Sequence, residues 1–216
     1  MKLSLKSDWR DYYDHMFHMF GDDLVVFERL SRSGPNKEQQ FDFLVSLGQN
    51  TPSYGKISDL LDETKDDTQK FVIYDDLDAH AGDGKRLVDY QQALKEPVDS
   101  FASSYIPRQQ ENPITLRWLQ VGYQPFLLEY SSDDDWRSNC GDVNIKILQV
   151  SDLIGPIRKV PYPLWAIDYI PLNNGEVVAI DFNISPGLRG TGVEEHMTAS
   201  EVVHAITYVM EILLKK

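Results

Sequence analysis

Asp168, Asp181 and Asn183 flank the stretch Asn173-Asn174-Gly175, a spacing that brings two carboxylates and an amide to one side of a β-hairpin. Asn174-Gly175 is a strong hairpin signal, because a type I′ turn needs positive φ at both central residues. With those two residues as the turn, Asn173 pairs with Glu176, and counting back along both strands sets Asp168 opposite Asp181. Side chains alternate along a strand. Trp165, Ile167, Tyr169, Val178, Ile180 and Phe182 therefore share one face as core, and Asp168, Asp181 and Asn183 share the other as the chemical face. Carboxylates facing each other across a hairpin lie about 4.5–5.5 Å apart at Cβ and repel. A cation between them would relieve the repulsion, and an all-oxygen donor set suits a hard ion such as Mg²⁺ that keeps waters and is completed by phosphates. The plainer alternative is an exposed hairpin face whose repulsion is screened by water.

The elements around this hairpin follow from periodicity. Trp9, Tyr12, Tyr13, Met16, Phe17 and Phe20 recur at helical spacing over 8–20, with Gly21 as the stop, and 24–30 reads as a strand. A helix is expected over 38–47, its inner side carrying Phe41, Leu44, Val45 and Gly48. Phe71-Val72-Ile73-Tyr74 and Arg86-Leu87-Val88 read as strands on either side of His80-Ala81-Gly82-Asp83-Gly84-Lys85. Strands are expected over 114–121, 125–130, 143–150, 164–170 and 176–184, and an amphipathic helix over 201–214. Helices and strands followed by a strand-rich half indicate an α+β fold of two lobes. We divide it into 1–104, which holds the small glycine-loop lobe, and 105–216, which holds the hairpin.

Composition excludes several function classes. With 42% hydrophobic and 25% charged residues, the usage is that of a globular protein and not of a disordered, collagenous or coiled-coil chain. Lys and Arg number 21 against 34 Asp and Glu, a net charge of −13 that repels a phosphate backbone, so neither nucleic acid nor an anionic membrane is an expected partner. The single cysteine, Cys140, rules out an intrachain disulfide and fits a cytoplasmic setting. No apolar stretch is long enough to span a membrane, and the N-terminus lacks a signal-peptide pattern.

Asp168, then Asp181-Phe182-Asn183, then Ser185-Pro186-Gly187 resembles the ATP-grasp superfamily, in which this hairpin holds the Mg²⁺ ions of Mg-ATP. The resemblance assigns metal ligation to Asp168, Asp181 and Asn183, with ATP and Mg²⁺ as cofactors. Asp135-Trp136-Arg137-Ser138-Asn139 is similar to the Arg-x-Asn element of the ribosomal-protein glutamate ligase and glutathione synthetase type, which places Arg137 near the transferred phosphoryl group. Read alone, Arg137 is equally a surface partner for Asp133–Asp135. Tyr105-Ile106-Pro107 and the strand carrying Arg117 are similar to the interlobe linker, whose backbone meets adenine, and to a strand whose Arg approaches the phosphates. Gly82, Gly84 and Lys85 fall where the family has a glycine-rich loop over the triphosphate. The strand before that loop departs from the pattern, since Tyr74 or Asp75 stands where a phosphate-binding lysine is expected. Lys85 or Arg86 replaces it only if the loop folds inward. Arg189, in the glycine-rich stretch after the hairpin, is expected beside the acceptor substrate, or else packed over an aromatic ring.

The resemblance implies an ATP-dependent carboxylate–amine ligase working through an acyl phosphate on a small carboxylate or amine. Two alternatives stand beside it: a degenerate module that binds a nucleotide, metal or protein partner without catalysis, and a structural or assembly protein that keeps the fold. Such ligases carry a further N-terminal domain, and a separate protein partner is the expected source of it. His15 and His18 read as core-edge residues with no third ligand, His80 sits beside the glycine loop, and His196 and His204 show no partner in sequence. The acidic runs 62–67 and 133–135 read as solvated loops. No nucleophile elbow, Cys-His pair or zincin motif is present.

Overall fold

Asn36 starts the first described helix by a reciprocal cap: its side chain accepts from the Gln39 N–H, and the Gln39 side chain accepts from the Asn36 N–H, each at 3.0 Å. The computed structural model describes residues 35–64, 66–78, 84–107, 114–132, 137–138, 142–149, 160–184 and 186–214. The helix expected over 8–20, the strand over 24–30, and His15, His18, His80, Gly82 and Cys140 lie outside them. Helix α1 (Lys37–Ser46) buries Lys37, Phe41 and Leu44 along one stripe. Val45, expected on that inner side, is instead 50% exposed, because the buried stripe of Lys37, Phe41 and Leu44 is narrow and Val45 lies past its edge.

The chain then builds β1 (Tyr54–Lys56), α2 (Ile57–Glu63), β2 (Phe71–Tyr74), β3 (Lys85–Val88), the one-turn α3 (Tyr90–Ala93) and β4 (Phe101–Ser104). The four strands form an antiparallel sheet in the order β1-β4-β2-β3. Phe71, Ile73, Val88 and Ala102 pack with Ile57 and Leu60 of α2. Alternation leaves Val72, Tyr74, Lys85 and Ser103 on the opposite face. The acidic run from Asp62 is therefore not all loop, since Asp62 and Glu63 end α2.

The second sheet contains β5 (Ile114–Val121), β6 (Gln124–Ser132), β7 (Val143–Leu148), β8 (Leu164–Pro171) and β9 (Val177–Ile184), in the antiparallel order β7-β6-β5-β8-β9. A 3₁₀ turn (Val193–Glu195) leads to α4 (Ala199–Leu214), which packs Val202, Val203, Ile206 and Met210 on Leu119, Val121, Leu128 and Ala166. On the other face Phe41 and Leu44 of α1 meet Trp118, Trp165, Ile167, Tyr169 and Phe182. Both faces of this sheet are thus core, which corrects the expectation of one core face and one chemical face. Ala166 on the face of Asp168 is fully buried, and the polar groups occupy only one end of that face. The molecule has an α+β fold with two antiparallel sheets, and no helix among the described residues is long and apolar enough to cross a membrane.

A capping box also starts α4. Glu201 accepts from the Thr198 N–H at 2.7 Å and from its hydroxyl at 2.8 Å, and the Thr198 hydroxyl accepts from the Glu201 N–H at 3.3 Å. Those bonds hold the Glu201 carboxyl below its ordinary 4.5. A depressed folded-state value means that this stability is present above 4.5 and is lost as pH falls further. Amide-exchange protection in the first turn of α4 is therefore expected to drop on acidification in the unaltered chain and to stay flat in Glu201→Gln, which keeps a cap but cannot titrate. Equal pH dependence in the two proteins would show that the box does not set the helix start.

Candidate functional site

The hairpin turn is one residue longer than expected. Leu172 donates to the Glu176 carbonyl at 2.8 Å, enclosing Asn173, Asn174 and Gly175, and Gly175 takes φ +82°. This is the three-residue loop ending in a left-handed glycine, not the two-residue type I′ turn. From there Pro171 pairs with Val177, Ile170 with Val178 and Tyr169 with Ala179. Ile180 then forms a bulge, an extra residue on β9, after which Asp168 pairs with Asp181 and Ile167 with Phe182. The two one-residue departures cancel, and the carboxylates end up opposite each other as expected. Between turn and bulge the faces are exchanged: Ala179 and Val177, not Val178 and Ile180, pack with Trp165, Ile167 and Tyr169, and Val178 is buried outside that cluster.

Each carboxylate has a fixed cation. Arg117 on β5, the register partner of Asp168, donates to it with two nitrogens, Nε at 2.6 Å and Nη2 at 2.7 Å. Its guanidinium also lies 4.7 Å from the Tyr130 ring centre. The side chains of Arg117 and Asp168 are only 14% and 8% exposed. Burial pulls the Arg117 pKa down, but the adjoining Asp168 carboxylate outweighs it and holds the guanidinium charged.

Asp181 pairs with Lys37, the first residue of α1. The Lys37 Nζ also donates to the Ile180 carbonyl at 2.8 Å and to Gln40 Oε1 at 3.3 Å, and it lies 5.1 Å and 5.7 Å from the ring centres of Phe41 and Tyr74. Burial lowers its pKa, yet Asp181 and other nearby groups raise it overall, so it stays an ammonium. Burial would push the Asp181 carboxyl up, but Lys37 and then Lys85 bring it down to about 2. Asn183 donates Nδ2 to the other Asp181 oxygen at 2.6 Å. Lys37 was not among the sequence candidates. Its signal was a lysine at the first position of a well-capped helix, where the macrodipole disfavours a cation.

These groups open onto a cleft between the two sheets. Lys85, Tyr105, Ile106, Arg117, Arg137, Asp168 and Asp181 line it together, and Phe41 spans the two sheets by stacking on Tyr54 at 4.8 Å while Leu44 packs into the hairpin lobe. Lys85 pairs with Tyr74, so it reaches the cleft as an ordinary strand residue. Arg86, on the opposite face, is paired with Asp75 and Glu96 and contributes nothing to the cleft. Tyr105 has its amide bound to the Lys70 carbonyl and its own carbonyl bound by Gln69 Nε2. Ser138 donates to the buried Thr115 hydroxyl, fixing the segment that carries Arg137 to β5. Gly84 takes φ +63° beside Lys85, and neither it nor Asn183 nor Arg189 lines the cleft. Arg189 is exposed on the loop after β9.

The donor set as it stands does not fit a divalent ion. Both Asp168 oxygens accept from Arg117, the Asp181 oxygens accept from Lys37 and Asn183, and Asn183 presents its NH₂ and not its oxygen to Asp181. Among the described residues no group of three or more His, Cys, Asp or Glu is arranged to hold a metal.

Together, two antiparallel sheets facing across a cleft define the ATP-grasp fold, and the chain has that fold. It is similar to the ATP-grasp ligase PsnB complexed with Mg, ADP and a phosphomimetic variant of a minimal precursor, at a TM-score of 0.57 and 12% identity over 85% of this chain and 60% of that one. A RiPP-associated ATP-grasp ligase from Chryseobacterium gregarium, in complex with ADP and a leader and core peptide, matches at a TM-score of 0.51 and 14% identity over 84% of this chain and 60% of that one. The macrocyclase MdnC from Microcystis aeruginosa, bound with precursor peptide MdnA, matches at 0.50 and 15% identity over 83% and 60%. This chain thus spans about 60% of the length of these structures. No protein-family model and no curated protein matches the sequence.

Proposed function

We propose that the cleft between the two sheets is a nucleotide site that binds ATP. The observation that carries this reading is its charge: four cationic side chains, Lys37, Lys85, Arg117 and Arg137, line it against two carboxylates, in a chain whose net charge is −13. An acidic protein that sets four cations against two carboxylates in one cleft offers a place for an anion there. In this reading Lys85 supplies the phosphate-binding charge that Tyr74 and Asp75 do not, Arg117 and Arg137 face the phosphoryl oxygens, and Ile106 meets the base edge because both main-chain groups of Tyr105 are already bonded. The full chain is expected to show a rise in melting temperature with millimolar ATP, and Lys85→Gln is expected to bind roughly tenfold more weakly through loss of one charged contact. If neither ATP, ADP nor a non-hydrolysable analogue moves the melting temperature, the nucleotide reading fails.

Two functions remain within that reading. Arg137 in the same cleft as Lys85 favours an ATP-dependent carboxylate–amine ligase, in which a carboxylate attacks the γ-phosphorus to give an acyl phosphate and ADP, and an amine then displaces phosphate. The peptides bound in the similar structures make a peptide carboxylate one acceptor to try, alongside small carboxylic and amino acids. The closed pairing of Asp168 and Asp181 favours a module that binds nucleotide without ligating. ADP release on adding acceptors separates the two: release that depends on the acceptor establishes the ligase, and a melting-temperature shift without release establishes the binding module.

A further inference from the structure

We propose that Lys37 is a tethered cation that serves the Asp168–Asp181 pair in place of a metal ion, so that a ligand enters this cleft without a divalent cation. An ammonium has three N–H donors, and Lys37 finds three acceptors around it: the Asp181 carboxylate, the Ile180 carbonyl and the Gln40 amide oxygen. The bulge is what makes this cage, because Ile180 is the extra residue on β9 and its carbonyl is one of those acceptors. Phe41 and Tyr74 add ring faces to the charge, and the lysine side chain is only 9% exposed. A lysine at a helix N-terminus works against the helix dipole, so its burial there needs a compensating anion, which Asp181 provides.

Arg117 answers Asp168 in the same way, so two fixed cations offset two carboxylates and the cluster is neutral before any ligand arrives. A divalent ion entering it would meet two cations at close range, and each carboxylate oxygen it could use already accepts a hydrogen bond from Arg117, Lys37 or Asn183. The cage itself stands with or without a nucleotide, while the statement about ligand entry rests on the nucleotide reading above.

The probe is Mn²⁺ alone, titrated into the full chain. The unaltered chain is expected to show no Mn²⁺ site that Asp181→Asn removes. Lys37→Met, which keeps the side-chain bulk but not the charge, is expected to bind one Mn²⁺ at least roughly tenfold more tightly than the unaltered chain, through Asp181, and to lose it in Lys37→Met/Asp181→Asn. A saturable site in the unaltered chain that Asp181→Asn abolishes overturns the proposal, as does a folded Lys37→Met that gains none. Should Lys37→Met not fold, amine acylation of the unaltered chain decides: Lys37 is expected to stay protected with and without Mn²⁺ while the 60%-exposed Lys56 labels, and Mn²⁺-induced labelling of Lys37 overturns the idea. The ATP-induced rise in melting temperature is expected to survive EDTA, and its loss in EDTA also counts against the tethered cation. A chain that shows no rise under any condition instead refutes the nucleotide reading and leaves the Mn²⁺ result standing.

Discussion

Arg117→Met is expected to cost about 3–5 kcal/mol, because it leaves the Asp168 carboxylate buried with no counter-charge. For a chain of this size that is a fall in melting temperature of roughly 10 °C. Asp168 gives up its two short charged bonds and has no solvent to replace them. Arg117→Met/Asp168→Leu should recover most of the loss, because an apolar pair of similar volume removes the desolvation cost of both charges. Thermal denaturation of the two variants checks this. A single-variant loss below about 1 kcal/mol, the range of an exposed pair, would mean the pair is not buried in solution.

Gly122→Ala is expected to destabilise the chain by at least about 4 kcal/mol and to loosen α4 from the second sheet. Gly122 takes φ +58°, and a Cβ there would lie 2.2 Å from the Ala205 carbonyl oxygen and 2.3 Å from its carbon. Those are backbone atoms of a helix packed on the sheet, so no side-chain rotation relieves the overlap. Gly122 is also held by its N–H to the Pro163 carbonyl at 2.7 Å, which leaves the turn little room to shift. Gly175→Ala is the control: its φ is +82° but nothing lies within 4 Å of the added carbon, so only the backbone strain of about 1–2 kcal/mol applies. Comparable losses in the two variants would show that α4 does not press on Gly122.

Strands were legible wherever the apolar pattern ran long enough to show alternation. Phe71–Tyr74 and Ile114–Val121 begin and end at the residues expected, and β8 and β9 shift by one residue at one end each. The three-residue β1 and one-turn α3 are too short for any periodicity to register, so they, with α2 and β4, came only from the structure. The site was legible in part. Of the cleft residues expected from sequence, Asp168 and Asp181 came from hairpin register, and Lys85, Tyr105, Ile106, Arg117 and Arg137 came only from the resemblance of their motifs to a known family, since nothing in local periodicity marks them.

By itself the sequence determined an acidic α+β chain with a hairpin around Asn174-Gly175 that carries Asp168 and Asp181 on its two strands, because turn residues and strand alternation are local properties of a few consecutive residues; the two carboxylates meet because the longer loop and the bulge at Ile180 cancel. What only the tertiary structure decided is what those acids meet. Lys37 is far from Asp181 along the chain, and Arg117 far from Asp168, and each pair is joined by how α1 and β5 pack against β9 and β8. A long-range ion pair leaves no periodicity in the sequence, and so the cations that occupy the hairpin became visible only in the fold.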